Sequence, residues 1–419
     1  MGDGNTSTRD RPMRVGIVGL GTASTDIVPE ILRHPQLDLA VGCDIRAEAR
    51  TQFTHRYGVP AFETVEELVS GKSVDAVYVA SPNRFHCEHA VIAASYGKEL
   101  IVEKPLALTL AECDEMVAAA AANGVRLLAG HTHSFDAPIQ AMEDLIADGV
   151  IGEVYMVNNW YYTDWLFRGR LADELDVGLG GGVVFRQAPH SVDIVRVLAA
   201  ARPVSVRAVT SSVDTAHPTH GGFVALLTFD SGAVGNIVFS GYAHFDSSEL
   251  TFGIGENGYP RSPDTHLAAR RRISALGSAD AEAQYKNSMR FGGDQAGQWL
   301  KSGDRDPSSQ KHPCYGLTVV SGTRGDLRQT PDGIFRYGSG EWLEVPVARA
   351  PLERAAELDC LYNAWKDDTD LPSHDGRWAK GTLEVCLAII ESGRTGREVS
   401  LHHQLLPRTA AAAGAGQRR

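Results

Sequence analysis

A chain of 419 residues, 43% hydrophobic and 22% charged, is long enough for two buried cores and has the composition of a globular protein. Its net charge of −12 argues against non-specific nucleic-acid binding, and no apolar run approaches the ~18 residues of a membrane span. Six cysteines (Cys43, Cys87, Cys113, Cys314, Cys360 and Cys386) are scattered without a CxxC pair, which predicts reduced thiols and a cytoplasmic location. The polar stretch Gly2 to Pro12 predicts no signal peptide.

The first element is an apolar run, Val15 to Val18, of the kind a strand buried on both faces shows. Gly19-Leu20-Gly21-Thr22-Ala23-Ser24 follows, then a helical pattern through Ile27, Ile31 and Leu32, then a second strand, Leu39 to Val41, ending at Cys43-Asp44. In this βαβ unit Gly19 permits a tight turn. Gly21, with Thr22 and Ala23 in the first helical turn, lets a pyrophosphate approach the positive end of the helix. Asp44, 20 residues after Ser24, stands where a carboxylate accepts from a ribose 2′-OH and repels a 2′-phosphate. Ile45 and Arg46 come next; an arginine there either stacks on adenine or meets a 2′-phosphate. The expected cofactor is NAD, with NADP open, against the plainer reading of a glycine turn with no ligand.

The alternation continues. Ala47 to Tyr57 reads as helix, and Val65 to Leu68 as a short helix capped by Thr64 with Glu67 three residues on. Strands are expected at Val74 to Ala80, Leu100 to Val102 and Val125 to Ala129, with helices through Ala94 and from Leu110 to Asn123. This is a doubly wound parallel sheet, whose ligands sit at the carboxyl ends of the strands. Ser81, Asn83, His86, Glu103, Lys104 and His131 all fall just beyond such ends. The cluster His86-Cys87-Glu88-His89 lacks a second ligand group at useful spacing, so no metal is expected.

Past Gly130 the pattern changes. Ile139 to Asp148 reads as a helix stopped by Gly149. Strands are expected from Val154, at Val204 to Thr210, Phe223 to Phe229, Ala233 to Ser240 and Leu250 to Ile254, and later at Leu317 to Ser321 and Ile334 to Tyr337. They predict an α+β domain with a large, mostly antiparallel open sheet. A helix over 183–199 carries Arg186, His190 and Asp193, whose spacings of four and three place them on one face. Arg168 and Arg170 lie in an aromatic loop, Tyr161 to Arg170. Gly255 to Pro313 is too long for a hairpin loop and could serve as a lid or subunit contact. Leu352 to Lys366 and Gly381 to Ser392 read as helices.

Together Gly19-Leu20-Gly21, Ser81-Pro82-Asn83 with His86, Glu103-Lys104-Pro105, and Gly180-Gly181-Gly182 with His190 and Asp193 resemble the Gfo/Idh/MocA oxidoreductases. The resemblance implies a Rossmann domain at 13–133, a substrate-binding and oligomerisation domain at 134–406, and disordered tails at 1–12 and 407–419. It implies that Lys104 lies beside the nicotinamide and the reacting substrate oxygen, with His190 as the second acid–base group. Ser81, Asn83, His86 and Glu103 would complete the cofactor side, and a homodimer or homotetramer would form through the C-terminal sheet.

Two departures from the family set the substrate expectation. Arg186 stands where relatives usually carry an acid, and His131-Thr132-His133-Ser134 departs where they often carry an arginine. Arg186 with Arg168 or Arg170, beside His131, His133 and Asp193, suggests a pocket for an anionic ring. The alternative for these arginines is pairing with Asp164, Asp173, Glu174 and Asp176. The pattern is similar to the phthalate 4,5-cis-dihydrodiol dehydrogenase branch, which implies hydride transfer from a carboxylated cis-dihydrodiol to nicotinamide. Two other expectations stay open: a sugar, cyclitol or glycoside dehydrogenase, and a catalytically silent NAD-binding sensor or subunit.

Overall fold

The computed structural model describes Arg9 and residues 11–262, 264–296, 307–349 and 354–408. The predicted tails fall largely outside them, as does the start of the helix expected from Leu352. The described chain divides into two compact units, the first drawn from 1–130, 287–301 and 354–377 and the second from 131–286, 302–353 and 378–419.

The first unit is built on six parallel strands: β1 (Met13–Val18), β2 (Leu37–Cys43), β3 (Ala61–Phe62), β4 (Ala76–Val79), β5 (Glu99–Glu103) and β6 (Leu127–Gly130). Their order is β3-β2-β1-β4-β5-β6, with helices making the crossovers. Strands β4 and β5 are buried at every residue, the mark of a sheet covered on both faces. Thr64 and Glu67 form the expected capping box on the helix Val65–Ser70.

The sequence reading places one cut at 133/134, yet the chain returns to this unit twice. Phe291 is fully buried, and its ring meets Phe53 at 5.4 Å and Tyr57 at 6.0 Å. The helix Ala355–Asp367 supplies Glu357 and the buried Leu358 and Leu361. Neither return has a local signal, because each is set by partners hundreds of residues away.

The second unit contains β7 (Val154–Tyr162), β8 (Pro203–Ser211), β9 (Gly222–Phe229), β10 (Val234–Ser240), β11 (Leu317–Gly322), β12 (Gly325–Gln329), β13 (Gly333–Gly338), β14 (Trp342–Pro346) and β15 (Val399–Ser400). They form one nine-stranded sheet, β14-β13-β12-β11-β7-β10-β9-β8-β15, in which only β7 and β10 run parallel. One face packs Val192, Val195, Cys386 and Ile389 against Leu227 and Ile237. The other leaves Val209, 64% exposed, with Val224, Leu226 and Trp160 in the open.

Three expectations change here. Leu250 to Ile254 is not a strand: Ser247–Thr251 is a 3-10 turn, opened by Asp246 accepting from the Ser248 N–H. A short polar side chain offering the backbone its own partner outcompetes the strand ladder. Among the described residues between Gly255 and Pro313 lie two α-helices, Asp264–Leu276 and Ala279–Ser288. The helix expected over 183–199 is two, Gly182–Arg186 and Ala188–Leu198, broken at Gln187. Pro189 has no N–H and its ring would meet the carbonyl four residues back, so the helix restarts there. Arg186 and His190 therefore do not share one helical face.

Candidate active site

The nucleotide half lies in the first unit. Gly19 adopts φ +91°, and a Cβ on it would sit 2.6 Å from the Ser81 amide nitrogen, so only glycine fits. At Gly21 a Cβ would meet nothing within 4 Å, and no side chain caps the helix Thr22–Arg33 that it opens. The first-turn amides thus face open space, which is what a pyrophosphate requires.

At the end of β2, the Asp44 carboxylate accepts from the Leu20 N–H at 2.8 Å, which aims it at the turn. Arg46 folds back on it: its guanidinium donates to both carboxylate oxygens at 3.0 Å, and also to the carbonyls of Leu20 and Phe291. Its donors are thereby directed to protein oxygens rather than to a 2′-phosphate. Ile45 beside it is 82% exposed, an apolar surface suited to a base.

His86 does not open to a ligand. It is buried, with its Nδ1 2.9 Å from the Pro105 carbonyl and its Nε2 2.9 Å from the Ser81 carbonyl. It ties the ends of two neighbouring strands together. Asn83, also buried, starts the 3-10 turn Asn83–Phe85.

Lys104 follows β5 and is half-buried; the Lys104–Pro105 peptide is cis. The preceding Glu103, expected on the cofactor side, points instead into a buried network. It accepts from the Tyr78 hydroxyl at 2.6 Å and from Arg354 at 3.2 Å, while Arg354 grips Glu357 at 2.8 Å. Burial alone would raise the Glu103 carboxyl, but Arg354 and then Lys104 hold it below its ordinary value. Glu103 is a positioning residue for the strand end that presents Lys104.

The second unit carries the remaining predicted residues. His190 is buried near two rings, with centroids 4.8 Å from His133 and 5.0 Å from Tyr315. His133 stacks on Tyr315 at 4.5 Å and bonds Asp136 through Nδ1 at 3.0 Å. Burial raises the Asp136 carboxyl, and His133 opposes that rise. The Tyr315 hydroxyl donates to the Gln187 side chain at 2.7 Å. Asp193 was expected to face substrate, yet it is fully buried. It accepts from Trp378 Nε1 at 2.6 Å and Thr382 at 3.2 Å, and lies 3.8 Å from His131 Nδ1. Asp193 and the equally buried His131 therefore face protein partners.

Arg168 and Arg170 also depart from the anion-pocket expectation. Arg168 donates to Asp164 at 2.7 Å, Glu256 at 2.6 Å and Thr163 at 2.7 Å. Arg170 donates to the Trp165 carbonyl at 2.9 Å, lies 3.9 Å above the Trp165 ring and reaches Glu174 at 3.4 Å. Pairing with neighbouring acids, the alternative reading, describes both. Arg186 stands apart from them: half-buried, it donates to the Gly180 carbonyl at 3.2 Å.

Tyr315, Asp136, Arg354 and Tyr78 escape sequence reasoning. Only Asp136 had a usable signal, three residues after His133. Among the described residues, no cluster of His, Cys, Asp or Glu could hold a metal ion, and no helix is long and apolar enough to cross a membrane.

A glycine turn at an uncapped helix start, a carboxylate at the next strand end and a lysine at a neighbouring strand end are the parts a nucleotide-dependent oxidoreductase requires. Residues 13–131 match the model of the oxidoreductase family with an NAD-binding Rossmann fold, and residues 139–259 match the Gfo/Idh/MocA C-terminal domain. The chain belongs to the Gfo/Idh/MocA family and is an NAD-dependent dehydrogenase acting on a CH–OH group, which sets aside the silent-sensor expectation.

It is 35% identical over 383 residues, 91% of this chain and 95% of the relative, to a 1-carboxy-3-chloro-3,4-dihydroxycyclohexa-1,5-diene dehydrogenase of Comamonas testosteroni. It is 28% identical to the myo-inositol 2-dehydrogenase of Thermotoga maritima, over 54% of this chain and 67% of that one. Among solved structures, a dehydrogenase from Bordetella bronchiseptica superposes with a TM-score of 0.86 at 38% identity, over 93% of this chain and all of that one.

Proposed function

We propose that this dehydrogenase oxidises a ring CH–OH on an anionic substrate, a carboxylated cis-dihydrodiol such as phthalate 4,5-cis-dihydrodiol. The observation that carries the reading is Arg186, a planar cation one residue before the helix break that leads to His190. The Comamonas relative, whose name specifies a carboxylated dihydroxycyclohexadiene, supports it.

Gly19, Gly21 and the amides of Thr22 and Ala23 would hold the pyrophosphate of NAD, and Asp44 the adenosine ribose. When bound, NAD supplies the acceptor for the hydride. The substrate hydroxyl must release its proton as the carbon loses that hydride, and Lys104 and His190 are the groups able to take it. His133 and Tyr315 pack against the His190 ring, and Gln187 accepts from the Tyr315 hydroxyl. Oxidation of one carbinol leaves a hydroxy-dienone, and transfer of the ring proton beside it to the carbonyl oxygen gives a catechol. Aromatisation makes the direction one-way.

A second reading, a neutral cyclitol or sugar, is favoured by the Thermotoga relative. NADH production from a panel of a phthalate cis-dihydrodiol, its uncarboxylated counterpart, myo-inositol and glucose, each with NAD and NADP, separates them. Turnover of only the carboxylated diol supports the anionic ring. Turnover of the polyols with the diol inert removes it.

The exposed sheet face bearing Val209, Val224 and Leu226 is the surface on which a second copy of the chain would dock. Sedimentation of wild type and Leu226→Glu reads this directly: an oligomer that dissociates supports the docking, and a wild-type monomer refutes it.

A further inference from the structure

His133 lies in the 3-10 turn Thr132–Phe135, which follows β6 in the chain after His131. Ligands of a doubly wound sheet collect beyond the carboxyl ends of its strands. Its Nδ1 lies 3.0 Å from a carboxylate oxygen of Asp136. Asp136 is the N-cap of the helix Ala137–Ala147, where an aspartate ordinarily accepts from a first-turn amide. Here its side chain does not cap the helix and is given to His133 instead. The Tyr315 ring stacks on the imidazole at 4.5 Å, with 28° between the planes, and the His190 ring meets it edge to face at 4.8 Å.

A carboxylate at Nδ1 keeps a proton on that nitrogen, so in the neutral ring the lone pair sits on Nε2. His133 Nε2 makes no hydrogen bond among the described residues. The His133 side chain keeps 13% of its surface exposed, against 3% for Asp136 behind it. The other titratable groups that face the pair are engaged. Glu256 accepts from Tyr161 and Arg168, and His312 Nε2 lies 3.0 Å from the Val347 carbonyl. Burial pushes the Cys314 thiol up to about 12, so it stays protonated. A buried carboxylate behind an imidazole whose far nitrogen is open is the arrangement of an oriented acid–base group.

We infer that His133, oriented by Asp136, is a catalytic acid–base residue of this dehydrogenase and takes the hydroxyl proton of the substrate on Nε2. The O–H bond breaks and its proton joins Nε2. Its electron pair forms the carbonyl π bond, while the pair of the C–H bond leaves as hydride to the nicotinamide. Asp136 stabilises the imidazolium that results, and the proton returns to water from the same nitrogen. His133 thereby joins Lys104 and His190, the groups read from the shared motifs, from a stretch in which this chain departs from its relatives. The assignment needs only the oxidation of a CH–OH, and it applies to a neutral as well as an anionic ring.

The test is the pH profile of kcat/KM for wild type, His133→Gln and Asp136→Asn, on whichever member of the panel is oxidised. In wild type the rate should fall on the acid side as His133 gains its second proton. Asp136→Asn keeps an acceptor for Nδ1 but removes the charge that favours the imidazolium, so that limb should move about one unit to lower pH. His133→Gln should lose the limb and cut kcat by about a hundredfold or more. A purely structural pair would lower the rate without moving the limb, so an acid limb that stays in place in both variants overturns the assignment. Nitrogen NMR of the NADH-loaded protein, with His133→Gln to assign the signal, reads the same residue without turnover. The neutral ring should carry its proton on Nδ1, and its titration should move to lower pH in Asp136→Asn. A proton on Nε2 instead, or a titration unmoved by Asp136→Asn, overturns the assignment even where no alcohol of the panel is oxidised.

Discussion

Two buried clusters of charge in this chain look alike by composition and differ in balance. Beneath Lys104, Arg354 lies between Glu103 and Glu357, and Tyr78 supplies a further hydrogen bond. Lys104 itself completes the count, two cations for two carboxylates. Around Glu174, by contrast, Arg170 at 3.4 Å and Lys286 at 3.9 Å approach the same carboxylate oxygen. A balanced network satisfies itself and can only hold a geometry. The first cluster is a mount for the strand end that presents Lys104, and the second holds a buried ammonium loosely against its carboxylate.

The largest effect should come from removing what the mount presents. Lys104→Met should cut kcat by about a hundred- to ten-thousandfold, the range for loss of a positioned acid–base group. NADH binding, followed by fluorescence, should persist. Loss of binding in step with kcat would instead make Lys104 a cofactor ligand.

Breaking the mount itself comes next. Arg354→Met leaves Glu103 and Glu357 buried without their shared cation, which should cost about 3–5 kcal/mol in denaturant unfolding. Adding Glu357→Gln should recover part of that loss. An Arg354→Met protein as stable as wild type would show that the network holds nothing.

These residues also mark how far the sequence could be read. Gly19 to Asp44 is legible because one contiguous βαβ unit supplies the turn, the helix start and the carboxylate, each with a fixed spacing. Lys104 is legible through its neighbours Glu103 and Pro105. Arg354 is not, since it reaches Glu103 from 251 residues away, and Tyr315 reaches His133 across a similar gap in the fold. For Arg168 and Arg170 two readings were open, and the local one holds: acids four residues before and four after them close ion pairs. Asp193 failed differently. Helical spacing gives a face, but which neighbour that face meets is decided by Trp378 and Thr382, on an element almost two hundred residues on.

Cofactor choice gives a smaller effect in the same terms. Asp44→Ala removes the ribose acceptor and releases Arg46 from its carboxylate, so KM for NAD should rise about tenfold. The NADP-to-NAD ratio of kcat/KM should rise with it. An unchanged ratio would mean that the Leu20 and Phe291 carbonyls alone keep Arg46 from a 2′-phosphate.

The mildest prediction sets the two clusters apart by pH. Lys286 titrates near 8 in the folded chain, against 10.5 for an ordinary lysine. Between those values the unfolded chain binds the extra proton, so this residue's contribution to stability rises with pH across roughly 8 to 10.5. Glu174, held down to about 2 by Lys286 and the arginines against the pull of burial, stays charged throughout. His217, raised through its hydrogen bond to Glu282, which lies one turn before Lys286 on the same helix, contributes stability that is lost as pH rises. The informative quantity is therefore the difference between wild type and Lys286→Met, which shares His217. In that difference stability should climb with pH from about 8 to 10.5, and a flat difference would show that Lys286 titrates as an exposed lysine does.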